Sequence, residues 1–139
     1  MSQENIEIVR KLYDALNDRD WDRFAEVCDP ECELRGTVGG LEEDRLMRGV
    51  EGIKRVTEQE DTEVWDYHLI ELQKLIDVGE QVVVIQREYQ RGKSSGVEVV
   101  VDIAVVHDVR DGRVVRVQPY MDAADALKAV GLSKQDARA

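Results

Sequence analysis

Apolar residues return at steps of three and four through Ile6, Val9, Tyr13 and Leu16, and Ile8, Leu12 and Ala15 widen the stripe. This period predicts an amphipathic helix that starts at Ser2 or Gln3 and ends in the polar run Asn17-Asp18-Arg19. Asp20 is a good N-cap for a second, short helix with Trp21, Phe24, Val27 and Cys28 inward. Pro30 ends it, because Pro restricts Asp29 and lacks an amide hydrogen. Cys32 to Gly36 alternates and reads as a short strand. Residues 37–48 read as a loop with Gly39-Gly40 and the acidic run Glu42-Glu43-Asp44, long enough to form the lip of a pocket. A third helix follows Gly49, with Val50, Ile53 and Val56 or Thr57 facing inward.

Around Thr62 the period changes from helical to alternating. Val64 to Asp77 predicts a long strand, bulged because neither parity is apolar throughout. Strands over Gln81 to Arg91, Val97 to Arg110 and Arg113 to Tyr120 follow, and Asp111-Gly112 is a strong hairpin signal between the last two. Asp122 caps a closing helix, Ala123 to Val130, which Gly131 ends. Helices first and a meander after predict an α+β fold, with a curled sheet around helices and a pocket between the layers. From Val97 to Val106 both parities are largely apolar. A sheet with one wet face would alternate, so the second face must be covered. With too few helices for both faces, the expected cover is a second copy, in a two-fold homodimer built sheet against sheet.

Composition narrows the function. The 139 residues suit one domain, taken as residues 1–132, with 133–139 as a disordered tail. A net charge of −11 argues against nucleic acid and anionic membranes as partners. No signal-like leader or membrane-spanning run is visible, so the expected location is cytoplasmic. Cys28 and Cys32 are the only cysteines, and with His68 and His107 as the only histidines they form no zinc signature. Two buried thiols are expected, and neither a metal nor a cofactor. Gly92 to Gly96 joins two strands rather than opening a helix, so it is no phosphate loop. Ser94 and Ser95 lie in that turn and lack a nucleophile elbow.

Several ordered strings carry a family resemblance: Val9 to Trp21, Asp29-Pro30, Arg48 to Ile53, Ser95 to Glu98, Arg110 to Arg116, and Tyr120-Met121-Asp122 running into Ala126 to Leu132. Together they resemble the SnoaL-like branch of the nuclear transport factor 2-like (cystatin-like cone) superfamily, over nearly the whole chain. The resemblance implies an α+β cone. A curved, mostly antiparallel sheet would wrap a long N-terminal helix and leave an internal pocket, usually in a dimer. Members include ketosteroid isomerases, polyketide cyclases, dehydratases, epoxide hydrolases and binding proteins, so the fold does not settle function. Aligned without gaps, the isomerase base falls on Gly36, its protonated acid on Ala104 and its tyrosine on Leu12, one step from Tyr13. The resemblance therefore implies that the isomerase carboxylate mechanism is absent.

The same alignment turns Asp102 toward the pocket, amid Val100, Val101, Ile103 and Val105. Burial would raise its pKa and suit it to acid–base work. Equally, it could be a buried carboxylate satisfied by a helix amide, Arg87 or Tyr13. Arg87 and Tyr89 could hold a ligand carboxylate or oxyanion, or form cross-strand surface pairs. Trp21, Phe24 and Trp65 could line an apolar site, although Trp21 and Phe24 also sit at core spacing. His68 could carry a proton or be a spectator. His107 falls on the outward parity and reads as structural or interfacial. Ala104 and Val117 complete the expected lining. The expected ligand is a small, largely apolar organic molecule. Asp102 would act on it as acid–base, with Tyr13, Arg87 or His68 as positioning groups, in a cofactor-independent isomerase, cyclase, dehydratase or hydrolase. The alternatives are a carrier without turnover and a dimerisation scaffold.

Overall fold

In the computed structural model of the chain, residues 2–133 and Gln135 are described; the expected disordered tail otherwise lies outside the described residues. Four helices, α1 (Ser2–Asp18), α2 (Trp21–Val27), α3 (Gly49–Glu63) and α4 (Ala123–Ala129), accompany six strands. The strands are β1 (Cys28–Arg35), β2 (Leu46–Arg48), β3 (Trp65–Val78), β4 (Gln81–Gly92), β5 (Glu98–Arg110) and β6 (Arg113–Tyr120). They form one sheet in the order β2-β1-β6-β5-β4-β3, antiparallel except between β1 and β6. The fold is thus α+β with a curved, open, mixed sheet. No helix among the described residues is long and apolar enough to cross a membrane.

The apolar stripe of α1 fills the concave side of the sheet. Val9 and Ala15 are fully buried and Leu12 and Tyr13 nearly so, packed with Val82 and Val84 of β4 and Val114 of β6. Arg19 ends the helix in a left-handed conformation at φ 55°, and the Asp20 amide donates back to the Ala15 carbonyl. Asp20 then caps α2, its carboxylate accepting from the Arg23 amide. Two side chains fix the far end of α1. The Asn17 side chain donates to the Ile70 carbonyl (2.8 Å) and accepts from the Ile70 amide (3.0 Å). Arg19 donates to both carboxylate oxygens of Asp61 on α3, at 2.7 and 3.0 Å.

On the convex side, α4 lays Ala126 and Leu127 over Val83, Ala104 and Val106. This corrects one expectation: part of the second apolar face is covered by the chain's own last helix. Beyond α4 the convex face is open, and Val100 is 57% exposed.

Two further departures have local causes. The strand expected from Cys32 begins at Cys28 and runs through Pro30, where its pairing with β6 shifts register between Cys28 and Glu33. A bulge tolerates a residue without an amide donor. Within the expected loop, Leu46–Arg48 pairs with β1 over three residues, too few to show a period. The bulge expected in β3 is present as a register shift between Leu72 and Lys74.

Candidate active-site cavity

A cavity of about 930 Å³ opens between α1, α3 and the concave sheet face. Leu12, Phe24, Ile53, Ile70, Ile103 and Val105 form its apolar wall. The inward parity of β4 begins as Val82 and Val84, which pack in the core with α1, and continues as Gln86 and Glu88, which form the polar end of the cavity.

The polar end is organised by Glu88. His68 on β3 lies diagonally from it, since Ile70 pairs with Glu88 and His68 with Gln90. The His68 Nε2 sits 2.8 Å from Glu88 Oε1. A carboxylate only accepts, so Nε2 carries the hydrogen and Nδ1 is left to accept. Gln86 Nε2 donates to Glu88 Oε2 at 3.0 Å, and Gln90 Nε2 to Oε1 at 3.4 Å. The Gln86 amide orientation follows from the same argument, and its buried Oε1 is left without a partner among the described residues. The Trp65 ring lies 6.0 Å from the imidazole, tilted by 39°. Across the cavity, α3 presents Glu60. Burial raises its carboxyl pKa, an effect that the nearby positive charge of Arg45 and the His68 ring partly offset.

Tyr13 lines the inner wall, and His107 is buried behind it. The Tyr13 hydroxyl lies 2.8 Å from His107 Nε2, and His107 Nδ1 lies 3.2 Å from the Val82 carbonyl. A carbonyl only accepts, so Nδ1 carries the hydrogen and Nε2 accepts from Tyr13. Burial lowers the imidazole to about 4 and, with a smaller contribution from Glu88, raises the tyrosine well above its ordinary value. Both groups are neutral in the fold and already paired.

Of the residues expected at the site, Tyr13, Phe24, Trp65, His68 and Val117 line the cavity. Trp21 does not; it packs edge-on against Phe24, with ring centroids 5.3 Å apart. Asp102, Arg87, Tyr89 and Ala104 all belong to the opposite face. Asp102 is exposed and paired with Arg87 at 2.7 and 3.1 Å. That guanidinium holds its carboxyl below the usual range, where the expectation was a raised value. Ala104 lies under α4. His107, expected outward, is fully buried on the concave side.

The Asp102, Ala104 and His107 corrections belong together. β5 keeps one parity from the turn inward, with Val109, His107, Val105 and Ile103 all on the concave side, and the register shift between Asp108 and Val109 places its extra residue on β6. The ungapped alignment sets the other parity of β5 inward, and a strand read on the wrong parity turns every side chain to the other face. Glu88, Gln86 and Glu60 are among the polar wall residues not anticipated. For the two on β4 the signal is the polar continuation of the Val82, Val84 parity, which is masked because both parities of β4 turn polar after Ile85.

Gly36, the position matching the isomerase base, stands at the cavity rim. A Cβ there would overlap the Glu42 carbonyl oxygen, so the loop as placed admits no side chain. Cys28 and Cys32 are free, buried thiols on the cavity floor. Among the described residues no group of three or more His, Cys, Asp or Glu side chains is placed to hold a metal ion.

A family model for the SnoaL-like domain matches residues 9–117. No curated protein is significantly similar to the chain in sequence. Among solved structures, TerC co-crystallised with polyporic acid is 23% identical, with a TM-score of 0.74 over 91% of this chain and 98% of that one. An NTF2-like protein of unknown function from Burkholderia pseudomallei is 19% identical, with a TM-score of 0.74 over 92% and 98%. An LEH-like epoxide hydrolase from M. tuberculosis is 19% identical, with a TM-score of 0.70 over 93% and 90%. At these identities the likeness is one of fold.

Proposed function

The chain belongs to the SnoaL-like domain family, and on that premise we propose that it is a cofactor-independent proton-transfer enzyme acting on a small, largely apolar organic molecule held in the cavity. His68 is the general base. The observation that carries this reading is the 2.8 Å contact between His68 Nε2 and Glu88 Oε1 at the end of an apolar cavity. Glu88 fixes the tautomer and stabilises the imidazolium that forms when Nδ1 takes a proton. The surrounding apolar wall strengthens that stabilisation by lowering the local dielectric. Removal of a proton beside a carbonyl or leaving group is the common step of isomerisation, cyclisation and dehydration, and this base serves any of them. Asp102 has no part in it, because it faces away from the cavity and is engaged by Arg87.

The fold relative crystallised with polyporic acid supports occupancy of such a cavity by an organic molecule. We further take the molecule to work as one domain in a homodimer, whose partner would cover the open convex face.

The test uses a generic carbon acid, 5-nitrobenzisoxazole, whose isoxazole ring opens when a base removes the proton on C3. The wild-type protein should accelerate ring opening over buffer. His68→Ala should cost roughly 100-fold or more, the usual contribution of a positioned base, while Asp102→Asn should stay within about twofold. Loss of rate in Asp102→Asn with retention in His68→Ala would sink the assignment.

A further inference from the structure

Three arginines and four carboxylates stand on the cavity wall, and they are not evenly matched. Arg19 is held by Asp61 through two hydrogen bonds. Arg45 is held by Glu42 at 2.6 Å, and Arg35 by Glu33 just outside the wall at 3.2 Å. Each cation is therefore engaged. Glu42 and Asp61 are engaged by the same contacts, which leaves Glu60 and Glu88. The donors to Glu88 are His68, Gln86 and Gln90, none of them an arginine or lysine. The Glu60 carboxylate has no hydrogen bond or ion pair among the described residues, although the charge of Arg45 acts on it from nearby, and the residue is only part-exposed. The wall thus holds two carboxylates with no arginine or lysine partner, and each of its arginines touches a carboxylate, Arg35 sharing Glu33 with Arg48.

At the Glu88 end the unpaired groups are acceptors, while the buried Arg35 Nε is an unpaired donor on the β1 side of the wall. Glu88 orients His68 and Gln86 so that each gives it an N–H, which leaves Nδ1 of one and Oε1 of the other as acceptors. Trp65 adds an aromatic face beside His68. A carboxylate pair, further acceptors and an aromatic ring at the end of an apolar chamber complement a positive, hydrogen-donating head on an apolar body. The chain's overall charge of −11 adds a field that draws cations and repels anions.

We propose that the cavity selects a small amphiphilic amine, its ammonium held between Glu60 and Glu88 beside Trp65 and its apolar body against Phe24, Ile70 and Val105. Glu60 is the specificity-determining residue. The inference rests on the cavity being a ligand site, but not on turnover.

The test is a charge series on one frame: 2-phenylethylamine, 2-phenylethanol and 3-phenylpropanoate. Each is titrated into the full chain by calorimetry at a pH of about 8, above the ordinary histidine range. The amine should bind about tenfold or more tightly than the alcohol, and the carboxylate more weakly than either. Glu60→Gln, near-isosteric on a partly exposed helix position, should reduce the amine's advantage to about twofold and leave alcohol binding unchanged. Equal binding of all three, or an anion preference, overturns the proposal while the cavity remains a ligand site. An undiminished amine preference in Glu60→Gln overturns the role of Glu60. Failure of all three probes to bind overturns the cavity reading itself, and this inference with it.

Discussion

The Tyr13 hydroxyl donates across 2.8 Å to His107 Nε2, joining α1 to β5 through two side chains that are 5% and 0% exposed. The imidazole passes the connection on, since Nδ1–H donates to the Val82 carbonyl of β4. A helix and two strands are therefore locked by one tautomer. Tyr13→Phe keeps the ring and removes the donor, leaving a buried nitrogen unpaired. It should destabilise the fold by about 1–3 kcal/mol, measured as a drop in urea midpoint at unchanged slope.

The same histidine makes stability depend on pH. Unfolded, it titrates near 6.5; folded, burial lowers it to about 4. Between those values the unfolded chain binds more protons, so stability falls as pH drops through the window and this contribution is flat above it. The full cost is about 3 kcal/mol, reached near the lower value. Depressed carboxylates such as Asp61 also lose stability in acid, so the measurement is a difference. Urea unfolding at about pH 7.5 and about pH 4.5 should show a larger acid loss in wild type than in the Tyr13→Phe/His107→Leu double variant. Equal losses would remove His107 as a cause.

Elements with a long period were legible, and faces were not. The stripe from Ile6 to Leu16 could only be a buried helix, and the Asp111-Gly112 turn could only be a hairpin. The inward parity of β5 was hidden because Val99, Val101 and Val105 on one parity match Val100, Ala104 and Val106 on the other. A strand clothed on both sides carries no alternation to read. An alignment alone then decides the parity, and the ungapped one sets Asp102 and Ala104 inward and His107 outward, where the strand has Ile103, Val105 and His107 on the concave side. His68 and Trp65 were legible because they are ring-bearing residues at the start of a strand, where the helical period gives way. Glu88 was not, because its role depends on a cross-strand neighbour twenty positions away.

Asn17 illustrates a contact beyond the reach of pattern. It ends α1 with a polar residue, as many helices do, yet both ends of its amide are used on the exposed edge of β3 at Ile70. The pair satisfies edge groups that would otherwise be open to another strand. Asn17→Leu should cost about 1–3 kcal/mol, with faster amide hydrogen exchange at Ile70 and its neighbours than elsewhere in the sheet. Uniform exchange across β3 and β5 would contradict a local clamp.

The convex face gives the remaining prediction. Leu69, Tyr89 and Val100 stand in one cross-strand row by register, and Leu69 and Val100 are 37% and 57% exposed. Arg87 with Asp102 and Arg91 with Glu98 flank the row as ion pairs. An apolar centre with a charged rim is the composition of an interface, and a two-fold axis through the row would set it against its own copy. A stable pair needs roughly 800 Å² from each partner, so the contact must extend past this row onto neighbouring strands. Because α4 blocks the lower half of the face, the extension must run toward Tyr67 and Val97, both exposed. Sedimentation should give twice the chain mass for wild type. Val100→Lys places a charge on each side of the axis and should shift it to the chain mass, with circular dichroism and monomer fold unchanged. Asp125→Lys, at an exposed position of α4, should have no such effect. A wild-type protein that sediments as a single chain at all concentrations, or a Val100→Lys variant that stays paired, would show that this face has another use.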